Sequence, residues 1–165
     1  MTGTDRAGGA NGPAGRGGTG GTGSTGGASV PGKPGKPGPT PVPASEPFWA
    51  AARRGELLLQ RCRGCGRHQH YPRVLCAHCW SEDLEWVRAG GRARVWTYTV
   101  VHRPGHPAWA EDVPYLLAIV ELAEGPRLLT NLVRVDPAEA YVGMAVRAEF
   151  APRGDTALVR FAPDV

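Results

Sequence analysis

The sequence predicts a mainly β chain in which a helix, a metal-binding ribbon and a small closed barrel follow a disordered Gly/Pro-rich tail. Three observations predict it. All four cysteines fall between residues 62 and 79, as two C-x2-C pairs. From residue 91 onward, β-branched and aromatic residues come in short runs broken by Gly, Pro and Asp, the rhythm of successive strands. Residues 1–44 are almost entirely Gly, Thr, Ser, Ala and Pro, too little apolar surface to offset the entropy of ordering a backbone. The expected organisation is a disordered leader at 1–44, a helix with the ribbon at 45–90, and a barrel at 91–165.

The charge divides along the same line. The leader holds Arg6, Arg16, Lys33 and Lys36 against Asp5, which is +3 of the chain's net +4. The remainder carries 15 Arg and 14 Asp or Glu. Four thiolates around one Zn²⁺ would bring it to about −1. Nucleic-acid modules concentrate positive charge on one face, and this domain has no such excess. No stretch approaches the ~20 apolar residues of a membrane span, and no apolar signal segment precedes the cysteines. The expected compartment is the cytoplasm.

Taken in order, the first element is a helix at Ser45. Ser45 is placed to cap it, Glu46 and Pro47 suit its first turn, and Gly55 stops it. Phe48 and Trp49 are adjacent aromatics on this short helix. One reading packs one of them on the ribbon and leaves the other half-exposed; the sharper reading makes the pair a partner interface.

The ribbon comes next. Leu57–Leu59 lead into Cys62 and Cys65, ten residues separate these from Cys76 and Cys79, and Leu84–Val87 form the return strand. Two residues between sulfurs let a tight turn aim both thiolates at one point, and two such turns close a tetrahedron. Gly66 suits the positive φ of a knuckle; Trp80 stands where the second knuckle would take a Gly most easily. Four thiolates with no open position imply a structural Zn²⁺. A single iron in a rubredoxin-like site would use the same ligands, and the spacing leaves it open. His68, His70 and His78 are expected as exposed loop residues or donors to the thiolates.

After Gly90-Gly91 come five expected strands, at 94–102, 115–122, 127–135, 145–150 and 156–161. The second is apolar on both faces as far as Val120. Asp136-Pro137-Ala138-Glu139 resembles a capping box and predicts a short helix closed by Gly143. Five strands with a helix between the third and fourth is the order of an OB-fold barrel. The full expectation is thus a helix, a rubredoxin-like zinc ribbon and a five-stranded OB-fold.

Phe48-Trp49, Gly55-Glu56-Leu57, Cys62-x2-Cys65-Gly66, Tyr71-Pro72-Arg73, Cys76-x2-Cys79, Pro114-Tyr115 and Val120-Glu121-Leu122-Ala123-Glu124-Gly125 occur in that order. Together they resemble the acyl-CoA-associated zinc-ribbon/OB-fold family, also called domain of unknown function thirty-five. The resemblance covers residues 45–165. It implies a non-catalytic accessory subunit that binds a thiolase-like or related acyl-CoA enzyme, with acyl-CoA as a further ligand. The loop from Arg103 to Val113 is then a second candidate contact, with Arg103 and His106 facing a CoA phosphate.

Nothing in the chain assembles a Ser-His-acid or Cys-His set, since its only thiols are committed to metal. His102, His106, Asp112 and Tyr115 are the one polar group that would act as acid and base if brought together. Two further readings stand beside the accessory subunit. One is a single-stranded nucleic-acid binder stacking bases on Trp96 and Tyr98; the other is a rubredoxin-like electron carrier.

Overall fold

The computed structural model describes residues 35–164. Of the expected leader, residues 1–34 lie outside the described residues. Residues 35–42 run along the barrel: Lys36 Nζ reaches the Asp112 carboxylate at 2.5 and 2.6 Å, and Gly38 lies against Arg153.

Pro43–Ser45 make one 3₁₀ turn, followed by α1 (Glu46–Arg53). The expected side-chain cap of α1 by Ser45 does not form. Its hydroxyl turns back to donate to Val42 O and to accept from Val42 N. Pro47 still opens the helix, where its missing N–H costs nothing. α1 buries Phe48, Ala51 and Ala52 and lies against β1 (Leu58–Cys62) and β8 (Thr156–Pro163).

The ribbon is a three-stranded antiparallel sheet with β1 in the middle, between β2 (His68–Gln69) and β3 (Leu84–Arg88). The second sheet closes on itself. β4 (Arg92–Val101), β5 (Tyr115–Leu122), β6 (Arg127–Leu132), β8 and β7 (Ala145–Arg153) follow one another around a barrel. β7 returns to β4 through Ala93 opposite Val146, and β6 meets β8 in parallel at Leu132 opposite Phe161. This is the expected five-stranded OB-fold.

β5 is apolar on both faces as far as Val120, as expected, and lies between β4 and β6: Leu116, Ala118, Val120 and Leu122 point inward while Tyr115, Leu117, Ile119 and Glu121 are half-buried outside. Two local expectations change. β6 ends three residues early, because Arg134 adopts φ 56° and bends the chain away. The helix expected after Asp136 is only a turn. Asp136 Oδ1 accepts from Ala138 N at 2.8 Å, and Gly143 N already donates to Val95 O. The segment is pinned to β4 before a second helical turn can form.

The core also crosses the expected boundary. Phe48, Leu57, Leu59 and Ala89 belong to the same buried cluster as Val95, Val120, Val146 and Phe161. Helix, ribbon and barrel therefore share one apolar interior, where the sequence suggested a barrel core lying beyond Gly90.

Candidate metal centre

The two knuckles are built alike. Gly66 N donates to Cys62 O at 2.8 Å and Cys62 N to Arg67 O at 2.9 Å. Fourteen positions on, Trp80 N donates to Cys76 O at 3.0 Å and Cys76 N to Ser81 O at 2.9 Å. This turn needs a residue with positive φ, and both positions have it: Gly66 at 74° and Trp80 at 65°. The geometry is easy for Gly and strained for Trp.

These turns bring Cys62, Cys65, Cys76 and Cys79 together, with all four sulfurs within 4.8 Å of one another. Cys62 Sγ lies 3.5 Å from Cys79 Sγ, and Cys65 Sγ lies 3.7 Å from Cys76 Sγ. A tetrahedron with Zn–S bonds of about 2.3 Å has S···S edges of about 3.8 Å. The cysteines therefore fit a four-coordinate divalent ion. Cys62 and Cys76 are buried, while Cys65 and Cys79 face outward.

The thiols also show why a cation belongs between them. Burial works against the Cys76 anion, yet the N–H groups of His78 and Cys79 and the thiols of Cys65 and Cys79 hold its pKa down to about 6. At Cys79 the Ser81 N–H favours the anion. Hydrogen bonding to Cys62, burial, and hydrogen bonding to Cys65 and Cys76 outweigh it and push the thiol up to about 12. The opposed shifts of Cys76 and Cys79 are those of neighbouring groups that disfavour two anions side by side, and a cation placed among the sulfurs would relieve that opposition.

A second arrangement holds the segment between the knuckles, and the sequence reading missed it. Gln60 and Gln69 face each other across β1 and β2 and are 6% and 5% exposed. Gln69 Nε2 donates to Gln60 Oε1 (2.8 Å) and Leu75 O (3.3 Å), and its Oε1 accepts from Ala77 N (2.8 Å). Gln60 takes both backbone groups of Arg73, at 2.8 and 2.9 Å. The only signal in the sequence was two polar residues at inward strand positions.

The other candidate residues separate. Phe48 is 4% exposed and packs edge-on to Trp49 at 4.9 Å and against His70 at 5.2 Å. It is a core residue joining helix to ribbon, so of the pair only half-buried Trp49 offers surface. His70 is not a free loop residue: it stacks on Tyr71 at 4.4 Å, and burial lowers its pKa to about 4. His68 is half-buried, and His78 is exposed with Nδ1 3.3 Å from Arg67.

The polar group at the β4–β5 loop is not assembled. His106 Nδ1 accepts from Ala108 N and caps a 3₁₀ turn at Pro107–Trp109. Asp112 is taken by Lys36, His102 and Arg103 face solvent, and Tyr115 is half-buried. The stacking faces are also engaged. The Arg127 guanidinium sits 3.4 Å over the Trp96 ring, and Tyr98 is partly buried with its hydroxyl donating to Ala140 O at 2.6 Å.

Comparison with known proteins agrees with this geometry. Residues 49–85 match the family model described as "ChsH2, rubredoxin-like zinc ribbon domain". Residues 86–151 match "ChsH2, C-terminal OB-fold domain". A "DUF35 domain-containing scaffold protein" of Methanocaldococcus jannaschii is 35% identical over 95 residues, 57% of this chain and 67% of that protein. The chain belongs to the DUF35 family.

Two further proteins are similar to this chain. A "Probable enoyl-CoA hydratase alpha subunit" of Thermomonospora curvata is 45% identical over 100 residues, 60% of this chain. The DUF35 chain spans only 31% of that subunit's length. A solved structure described as "Ltp2-ChsH2(DUF35) aldolase" superposes with a TM-score of 0.70 at 38% identity, covering 77% of this chain and 99% of that one. No helix among the described residues is long and apolar enough to cross a membrane.

Proposed function

We propose that this DUF35 chain is a non-catalytic accessory subunit that docks on a thiolase-like or related acyl-CoA enzyme in the cytoplasm. It carries a structural Zn²⁺ on Cys62, Cys65, Cys76 and Cys79 and helps the complex hold its acyl-CoA. The observation that carries the reading is the near-complete coverage, 99%, of the chain matched in the Ltp2-ChsH2(DUF35) aldolase. Two features of the site support it. All four thiols converge on one point, which leaves no free thiol as a nucleophile. In the β4–β5 loop His106 is spent on a cap and Asp112 on an ion pair. Closed tetrathiolate coordination holds structure and leaves no position for substrate.

The ribbon residues would supply the metal's whole coordination sphere, and the metal would neutralise the crowded thiolates and fix the two knuckles. The single-stranded nucleic-acid reading loses one face of Trp96 to Arg127 and finds Tyr98 partly buried against the core.

The test is co-expression with a thiolase-fold or hydratase acyl-CoA enzyme from the same organism, taken from the neighbouring genes where they encode one, followed by pull-down. The expected result is a stable hetero-oligomer, one zinc per chain, and no turnover of acyl-CoA by this chain alone. If Trp49 is a central anchor, Trp49→Ala weakens the complex by ~2 kcal/mol or more, about thirtyfold. A monomer that ignores the enzyme, or a chain that turns over acyl-CoA unaided, refutes the reading.

A further inference from the structure

Apart from its thiols, the tip of the ribbon carries no acidic side chain of its own. Between Leu57 and Ser81 the sequence contains no Asp or Glu. Arg61 and Arg63 find partners lower down, in Glu85 and Asp83. Arg67 and Arg73 have no acidic partner among the described residues; Arg67 only contacts His78 Nδ1. On the same segment Tyr71, Val74 and Trp80 are 58%, 75% and 77% exposed.

Trp80 is the informative residue. Its φ of 65° belongs to the left-handed region, where its counterpart in the first knuckle is Gly66 at 74°. The knuckle uses only the backbone of this residue, through Trp80 N to Cys76 O. A glycine would make the same bond without strain. The chain thus carries a large indole at a position that favours glycine and turns it to solvent, where it adds nothing to the fold. Strain of this kind collects at functional positions, and exposed Trp and Arg are the residues that anchor interfaces.

We infer that the ribbon tip, anchored by Trp80 and carrying Arg67 and Arg73 on the same segment, docks into an apolar depression with acidic side chains around it on the acyl-CoA enzyme. This rests on the accessory-subunit reading and adds a surface to it beyond Trp49. A protein partner fits better than nucleic acid. Two arginines on the same segment as a tetrathiolate centre, which is itself negative, do not make a phosphate-tracking groove, and Val74 offers an aliphatic contact that stacking on bases does not use.

The experiment compares metal-loaded wild type, Trp80→Gly and Arg73→Glu for binding to the neighbouring enzyme, with zinc content and melting temperature measured on each. Trp80→Gly is expected to keep its zinc, melt at or above the wild-type temperature, and bind at least tenfold more weakly. Arg73→Glu, whose backbone stays held by Gln60, is expected to bind severalfold more weakly, with the deficit shrinking at high salt. Equal binding by wild type and a well-folded Trp80→Gly overturns the tip as an interface and leaves the accessory reading standing. A Trp80→Gly chain that loses zinc or stability shows a structural indole and overturns it too. Wild type that the enzyme does not bind overturns both readings. An oligonucleotide retained by wild type and lost with Trp80→Gly assigns the tip to nucleic acid instead.

Discussion

Replacing Gln69 by Leu removes three hydrogen bonds at one stroke and so measures what the glutamine pair contributes to the metal centre. The lost bonds are those from Gln69 Nε2 to Gln60 Oε1 and Leu75 O, and from Ala77 N to Gln69 Oε1. At a net ~1 kcal/mol each, the loss is about 3 kcal/mol. The buried leucine side chain returns roughly 1 kcal/mol of apolar burial, leaving about 2 kcal/mol. Ala77 lies between Cys76 and Cys79, so the loss falls on the second knuckle itself. Metal binding and ribbon folding are one equilibrium at such sites. About 2 kcal/mol should therefore read out as roughly thirtyfold weaker zinc binding. Competition against a chromophoric chelator at fixed pH gives the number directly. An affinity within threefold of wild type would refute the claim that these bonds, together with the thiolates, hold the second knuckle in place.

Three further outcomes follow from residues outside the knuckles. His70 is held neutral by burial, with a pKa near 4 against an ordinary 6.5. The unfolded chain binds its proton first as pH falls, so the stability due to neutral His70 is complete above pH ~6.5 and is lost towards pH ~4, at up to about 1.4 kcal/mol per pH unit. His70→Phe should flatten the denaturant midpoint over that window relative to wild type; parallel pH profiles would refute the assignment. Removing residues 1–34 should leave the melting temperature unchanged, because they bring almost no apolar surface. Removing residues 1–42 should cost about 1 kcal/mol by taking Lys36 from Asp112 and from the Trp109 ring; no difference between the two truncations would show that the Lys36 contacts contribute nothing.

What the sequence made legible was whatever depends on short spacing. Two residues between cysteines dictate a knuckle, and the same spacing told the reader that position 80 faces the conformational demand met at position 66 by glycine. Runs of β-branched residues located all five barrel strands to within a few positions. The readings that failed are those in which one side chain had two possible partners. Ser45 is an equally good cap for α1 or for the preceding turn, and only the path of Val42 decides. Asp136 carries a helix-start signal, yet the chain from Asp136 to Gly143 must also return to Val95, and that distant pairing leaves no length for a helix. Phe48 and Trp49 are indistinguishable by composition; burial of one and half-exposure of the other follows from which side of α1 meets His70 and the barrel.

The shared core gives the metal a wider reach than a ribbon alone would have. Leu57 and Leu59 flank the start of β1, the strand that ends in Cys62, and both lie in the cluster that contains Phe161 and Val120. Loosening the knuckles frees the end of β1 and with it apolar side chains that the barrel packs against, at a cost on the order of 1.5–3 kcal/mol for each side chain that becomes fully exposed. The same continuity runs from Phe48 through His70 into the ribbon. A partner that gripped Trp49 on α1 or Trp80 at the ribbon tip would therefore press on elements that share one interior. On the proposed accessory role, a bound metal that fixed the knuckles would help hold these two aromatic residues in place, and orienting two contacts in advance spares a complex the entropy of aligning them on binding.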